Sequence, residues 1–194
     1  MTSEAQVLPL HLTWTFADVE KLPDDGYRYE VIDGNLIVSP PPSAWHQHIT
    51  YLLNRLLDDA APHDLSVVPA AGVLLETSDP TRYLIPDLLV VRARALTPET
   101  KNLSPSDVIL AVEVVSPSSG THDRVTKRDV YARLGIPNYW LVESAAPGMI
   151  SALRLDVSGA YVGAAEAVGD EALALDQPFP VRIIPSSLQR CLQR

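Results

Sequence analysis

The sequence predicts an α/β fold in which a central mixed sheet of four or more strands is flanked by helices over residues 44–60 and 122–134. Three patterns point to it. Val108 to Ser116 is an unbroken apolar run interrupted by one acid, Glu113, as in a strand covered on both faces. Tyr27 to Val38 consists of two alternating arms around Asp33-Gly34, a strong two-residue hairpin signal. Ala44 to Ala60 carries Ile49, Leu52, Leu53, Leu56 and Leu57 at helical spacing behind a Ser43 cap.

The remaining elements follow in order. Leu10 to Trp14 reads as a short edge strand, and Thr15 with Asp18 three residues on opens a short helix in the manner of a capping box. Pro40-Pro41-Pro42 separates the hairpin from the long helix. Leu65 to Glu76 and Tyr83 to Val91 read as one strand each, the second containing Pro86, which cannot donate to a ladder and so marks an edge, a bulge or a strand start. Leu96 to Asp107 is a connection. After the central strand, Pro117 to Thr121 turns into the second helix, which Gly135-Ile136-Pro137 stops. Asn138 to Glu143 is a further strand, with Tyr139 and Trp140 read as core aromatics. Met149 to Val157 and Ala160 to Ala164 form a C-terminal β-meander turned at Ser158-Gly159. An acidic loop over 169–179, a strand near Val181 to Ile184 and a helix from Ser186 complete the chain.

With 194 residues, 46% of them hydrophobic, and no linker-like tract, residues 1–194 read as a single domain with a substantial core. No apolar run reaches the roughly 18 residues of a membrane span, and no secretory signal is visible. The single Cys191 fits a reducing, cytoplasmic setting. A net charge of −9 argues against a broad nucleic-acid-binding surface. The stretch from Arg82 to Arg133 nonetheless holds eight Lys/Arg against six acids, a mildly basic centre in an acidic chain. Gly-rich phosphate loops, Gly-x-Ser-x-Gly elbows and Cys metal motifs are missing from the sequence. His46 and His48, two residues apart on a helix, make a poor zinc pair.

Asp87 and Glu113 are each an acid within an apolar run, 26 residues apart, so neighbouring strands would bring them together. A buried carboxylate needs a partner, a proton or a metal. Two of them sharing a site suit Mg²⁺ or Mn²⁺, which can polarise a phosphate and activate water. Val114, pointing away from Glu113, offers its backbone carbonyl as a further ligand. Lys127 on the following helix would reach the strand's end and stabilise charge on a phosphate. Tyr131, four residues on and on the same helix face, and Arg124, three residues before Lys127, stand as phosphate contacts. A purely structural alternative remains open for each: Asp87 as a turn acid, Glu113 as an acid paired with an arginine, Lys127 on a solvated helix face.

The order Pro86-Asp87, Glu113 in a strand, then a lysine resembles the PD-(D/E)XK phosphodiesterase superfamily, and the whole chain resembles the Uma-type restriction-endonuclease-like family. The matching pieces are Tyr-Arg-Tyr-Glu-Val-Ile-Asp-Gly-Asn-Leu (27–36), Ser39-Pro40 with His46, and Ile-Pro-Asp (85–87). Further on come Val-Glu-Val-Val-Ser-Pro-Ser-Ser (112–119), His-Asp-Arg with Lys127 and Tyr131, and Gly-Ile-Pro-Asn-Tyr-Trp-Leu-Val (135–142). The superfamily's acid-x-lysine tripeptide would place its lysine at Val115; the resemblance moves that role to Lys127. It implies a restriction-endonuclease-like core, a metal-dependent DNA endonuclease with Asp87 and Glu113 as ligands, Glu30 completing the site, and His46 as a base or phosphate contact. DNA is the partner implied, and a homodimer suits an enzyme that cuts both strands. The alternative is a catalytically inactive nuclease-fold module that binds nucleic acid or a protein.

Overall fold

The computed structural model describes residues 13–75, 79–116, 120 and 122–189. One turn of helix, α1 (Phe16–Val19), precedes the hairpin strands β1 (Arg28–Ile32) and β2 (Asn35–Ser39) and the long helix α2 (Ala44–Ala60). Strands β3 (Leu65–Pro69), β4 (Gly72–Leu75), β5 (Arg82–Leu84), β6 (Leu88–Arg92), β7 (Asn102–Leu103) and β8 (Val108–Val115) follow. A π-helical turn (His122–Lys127) runs into α3 (Arg128–Arg133) and then β9 (Asn138–Glu143). The meander strands β10 (Met149–Leu155) and β11 (Tyr161–Val168), the ribbon β12 (Leu173–Leu175) with β13 (Val181–Ile183), and a 3-10 turn (Pro185–Gln189) complete the order.

A six-stranded sheet ordered β11-β10-β9-β8-β6-β3 forms the centre, and a five-stranded sheet ordered β2-β1-β5-β4-β7 packs beside it. The central sheet is mixed, because β8 and β9 run parallel while its other pairs are antiparallel. The parallel pair needs a crossover, and the π-turn and α3 supply it. This is the α/β architecture expected, hairpin and meander included.

Two expected strands are each divided between the sheets. The 65–76 run splits into β3 and β4 around Ala70, which adopts a positive φ of 49°. The 83–91 run splits into β5 and β6 around Ile85-Pro86-Asp87. The two breaks lie side by side, since the Ala70 N–H donates to the Asp87 carbonyl at 3.1 Å. Pro86 signalled the second break, because a residue without an N–H cannot continue the ladder. Among smaller differences, the expected 122–134 helix begins with a π-turn, and a short strand, β12, lies within the expected acidic loop. The stretch from Ser186 forms a 3-10 turn as far as Gln189. Residues 10–12, most of the 117–121 turn, Glu76 and Cys191 lie outside the described residues.

Alternation along β8 sorts its side chains into two cores. Leu110, Val112 and Val114 pack with Ile49, Leu53 and Leu57 of α2 and with Trp140. Ala111 and Val115 face the other way, with Val130 and Tyr131 of α3, Tyr139, and Val73 and Leu84 of the five-stranded sheet. Glu113 shares that second face, between the sheets.

The hairpin turn has φ of 49° at Asp33 and 77° at Gly34, as a two-residue turn with both central residues left-handed requires. Asp33 also ties the turn to its surroundings. It accepts from Arg82 Nε at 2.7 Å and from Arg133 Nη2 at 2.8 Å, joining the hairpin to β5 and α3. Arg133, and then Arg82, hold its carboxyl below the usual carboxylate range against a smaller opposing effect of burial. A depressed pKa contributes stability above the unfolded-state value and loses it as pH falls through the folded one. Asp33→Asn retains a side chain tolerant of the turn and should cost about 1 kcal/mol at pH 7, the scale of partly exposed ion pairs. In urea denaturation the difference from the parent should vanish once pH falls below the carboxylate range; a deficit that persists in acid would assign it to the backbone instead.

Candidate active site

Where the chain changes sheets, five segments close on one cleft of about 480 Å³. Its wall includes Arg28 and Glu30 of β1, His46 of α2, Asp87 at the crossover, Glu113 and Val114 of β8, and His122, Asp123 and Lys127 of the π-turn. Glu30, Asp87, Glu113, Asp123 and Lys127 are all buried, at 2–4% exposure. Continuing the β6–β8 register, in which Leu88 faces Val112, sets Asp87 opposite Glu113. The sheet therefore pairs the two acids as expected from their spacing.

Each acid has internal partners. Asp87 Oδ1 accepts from Arg28 Nη1 at 2.5 Å, and Oδ2 accepts from the Val114 N–H at 2.9 Å and lies 3.0 Å from His46 Nε2. Glu113 Oε1 accepts from Lys127 Nζ at 2.9 Å and from the Tyr131 hydroxyl at 2.7 Å. Glu30 Oε1 lies 3.1 Å from the same Nζ and accepts the Ile85 N–H at 2.7 Å. Lys127 thus bridges two buried carboxylates, one from each sheet. The Ile85 N–H goes to Glu30 rather than to a ladder, which is how the strand break and the site are linked.

The electrostatics follow from burial and this pairing. Burial pushes Glu113 up to about 8 against the pull of Lys127, with Asp87, Asp123 and Glu30 pushing the same way as burial. Burial opposes the charge of Lys127, but Glu113 and Glu30 outweigh it and hold the ammonium protonated well above its ordinary range. Burial alone would raise Asp87, yet His46 and Arg28 hold it below the usual carboxylate range. Counting formal charges on the wall, Glu30, Asp87, Glu113 and Asp123 face two permanent cations, Arg28 and Lys127. With Glu113 ionised, the wall carries two more negative than positive charges, a balance that suits a divalent cation.

The π-turn aligns residues five apart, as its i→i+5 bonding requires, so His122 and Lys127 line the same cleft. In an α-helix at about 100° per residue they would diverge by roughly 140°. His122 Nε2 is buried and has no partner among the described residues. Burial and Lys127 both lower its pKa.

The family described as "Uma2: Putative restriction endonuclease" matches residues 16–186. The chain belongs to this family. The crystal structure of a "putative nuclease belonging to DUF820" from Anabaena variabilis ATCC 29413 has a similar fold, with a TM-score of 0.57 at 17% identity over 73% of this chain and 79% of that one. No curated protein matches.

Within this Uma2 fold, Asp87, Glu113, Val114, Lys127, Glu30 and His46 come together as the sequence suggested. Two expected phosphate contacts do not. Arg124 is exposed and pairs with Glu143, because in the π-turn it leaves the face of Lys127. Tyr131 is wholly buried beneath Glu113 and does not reach the cleft surface. The sequence reading missed Arg28, His122 and Asp123. Arg28 was legible by alternation, being two residues before Glu30 on one strand face; His122 and Asp123 depended on the π-turn. A larger hollow of about 740 Å³ near β4 and β7, lined by Phe16, Leu74, Lys101 and Asn102 among others, receives none of the buried acids. No described helix is long and apolar enough to cross a membrane.

Proposed function

We propose that this chain is a metal-dependent DNA endonuclease that hydrolyses phosphodiester bonds in the cleft between its two sheets. The observation that supports it most is the gathering of Glu30, Asp87 and Glu113 from three separate segments into one cleft, where buried Lys127 bridges Glu30 and Glu113 and Arg28 pairs with Asp87. Burying that many charges in one place costs stability, and such clusters collect at functional sites.

The donor chemistry fits Mg²⁺ or Mn²⁺. Among the described residues no three His, Cys, Asp or Glu side chains form a ready metal cage. Mg²⁺, however, is commonly held by one or two carboxylates with waters completing its shell. Asp87 and Glu113, opposite each other across β6 and β8, would hold the ion, with the Val114 carbonyl as a further ligand. When bound, such an ion polarises the phosphate and lowers the pKa of water.

The protein's own groups set the geometry for that chemistry. Tyr131 and Lys127 fix Glu113 by binding Oε1. Glu30 places Lys127, and the Ile85 N–H places Glu30. Lys127, held charged, cannot take a proton and serves instead to stabilise negative charge building on the phosphoryl oxygens. His46 lies against Asp87 at the head of α2, oriented by the Ser43 cap.

The test is Mg²⁺-dependent cleavage of duplex DNA by the purified chain. Asp87→Ala and Glu113→Ala should each reduce it by about 100-fold or more, the scale of losing one preorganised charge-stabilising group. Cleavage by either variant at the parental rate would overturn the site assignment. A parent that binds DNA without cutting it would favour the inactive nuclease-fold module.

A further inference from the structure

Asp87 already has a cation. Arg28 Nη1 lies 2.5 Å from Asp87 Oδ1, and its guanidinium is drawn by Glu113 and Glu30 as well. Arg28 therefore stands among the same carboxylates that the reading above assigns to the metal site. Its side chain is 22% exposed while that of Asp87 is 3% exposed, so it covers Asp87 from the cleft side.

Two features separate Arg28 from a purely structural partner. Asp87 Oδ2 is anchored independently by the Val114 N–H and His46, so the carboxylate keeps its orientation when Oδ1 is released. Lys127, by contrast, is buried at the back of the site and bridges Glu30 to Glu113. One cation is locked in and the other lies at the entrance. A guanidinium and a divalent ion compete for one carboxylate oxygen, because like charges a few ångströms apart repel.

We propose that Arg28 is the resident cation of the cleft: it holds the place on Asp87 that a divalent ion takes, and when displaced it turns to the phosphate of the bound phosphodiester. This rests on the reading of Asp87 and Glu113 as metal ligands. A weakly hydrated planar fork leaves one carboxylate oxygen and engages two phosphate oxygens with little loss of bonding. Ion entry and substrate binding are then coupled through one side chain. The acidic chain, at net charge −9, then gains a second phosphate-binding cation beside Lys127, at the cleft entrance, when the ion has entered.

The experiment is calorimetric titration of the full chain with Mn²⁺ in the absence of DNA, comparing the parent with Arg28→Met. Removing the competing cation should tighten Mn²⁺ binding by about tenfold or more, a change opposite in sign to that of ordinary damage to a site. Binding of a duplex oligonucleotide in Ca²⁺ should weaken in the same variant. Thermal melting in EDTA verifies that the variant is folded; if it is not, Arg28→Gln, which removes the charge but keeps an N–H for Asp87, carries the same comparison. If the parent binds Mn²⁺ and the variant binds it no more tightly, the displacement is refuted while the metal-dependent reading stands. Should neither bind Mn²⁺, both fall. A variant with tighter Mn²⁺ binding but parental affinity for DNA overturns the phosphate role.

Discussion

Lys127→Met should destabilise the protein by about 3–5 kcal/mol at neutral pH, the usual cost of removing one partner from a buried ion pair. Lys127 is 4% exposed, and its ammonium lies 2.9 Å from Glu113 and 3.1 Å from Glu30. Methionine fills much of the same volume without the charge, so the loss isolates electrostatics from packing. Two carboxylates would then share a buried site with no cation between them. They can relieve the repulsion by taking up a proton. The deficit should accordingly shrink as pH falls toward the carboxylate range, because the unfolded chain binds fewer protons than the fold there. Adding Glu30→Gln should restore much of the stability, since it removes one of the stranded charges and retains an acceptor for the Ile85 N–H. Cleavage should be lost in both variants. Guanidinium denaturation of the single and double variants measures this coupling directly. A Lys127→Met protein within about 1 kcal/mol of the parent would mean that the ammonium does not hold the two acids together.

Lys127 reaches Glu113 from the neighbouring π-turn, at 2.9 Å, for a geometric reason. The family resemblance moved the lysine off the strand that carries Glu113, and the length of the side chain allows that. The prediction for Arg124 rested on α-helical spacing, which the π-turn does not follow. One extra residue per turn removes Arg124 from the face of Lys127 and brings His122 onto it. A π-turn leaves little trace in hydrophobic periodicity, so neither change was legible.

The strand runs show a similar division. Alternation correctly set Glu113 and Val115 on one face of β8 and Val114 on the other. The apolar pattern could not show that the 65–76 and 83–91 runs each serve two sheets, because a strand buried in either sheet looks the same in sequence. Pro86 was the one local sign. Its missing N–H, together with the diversion of the Ile85 N–H to Glu30, turns the chain at the level where Asp87 must point into the cleft. The site thus lies at the place where regular pairing fails.

Glu113→Gln should make the metal-free protein more stable while abolishing Mn²⁺ binding and cleavage. The side-chain oxygen that accepts from Lys127 and Tyr131 is retained, so the local bonds persist. What disappears is a charge that the fold disfavours, since burial pushes the Glu113 carboxyl up to about 8. The folded pKa lies above the unfolded one, so the fold binds this proton more tightly than the unfolded chain does. Stability from this group is fully present below the unfolded value and is lost as pH rises through the carboxylate range toward 8. The glutamine variant does not titrate, and its advantage should therefore be small at about pH 5 and largest at about pH 9. Each unit of displacement corresponds to about 1.4 kcal/mol, so even half of the displacement gives the variant roughly 2 kcal/mol at about pH 9 in EDTA. If Glu113 were simply the structural partner of Lys127, the same substitution would weaken the fold at every pH. A melting-temperature difference that grows with pH in favour of the Glu113→Gln variant identifies a carboxylate kept at the expense of stability; a uniform loss would return it to a structural role.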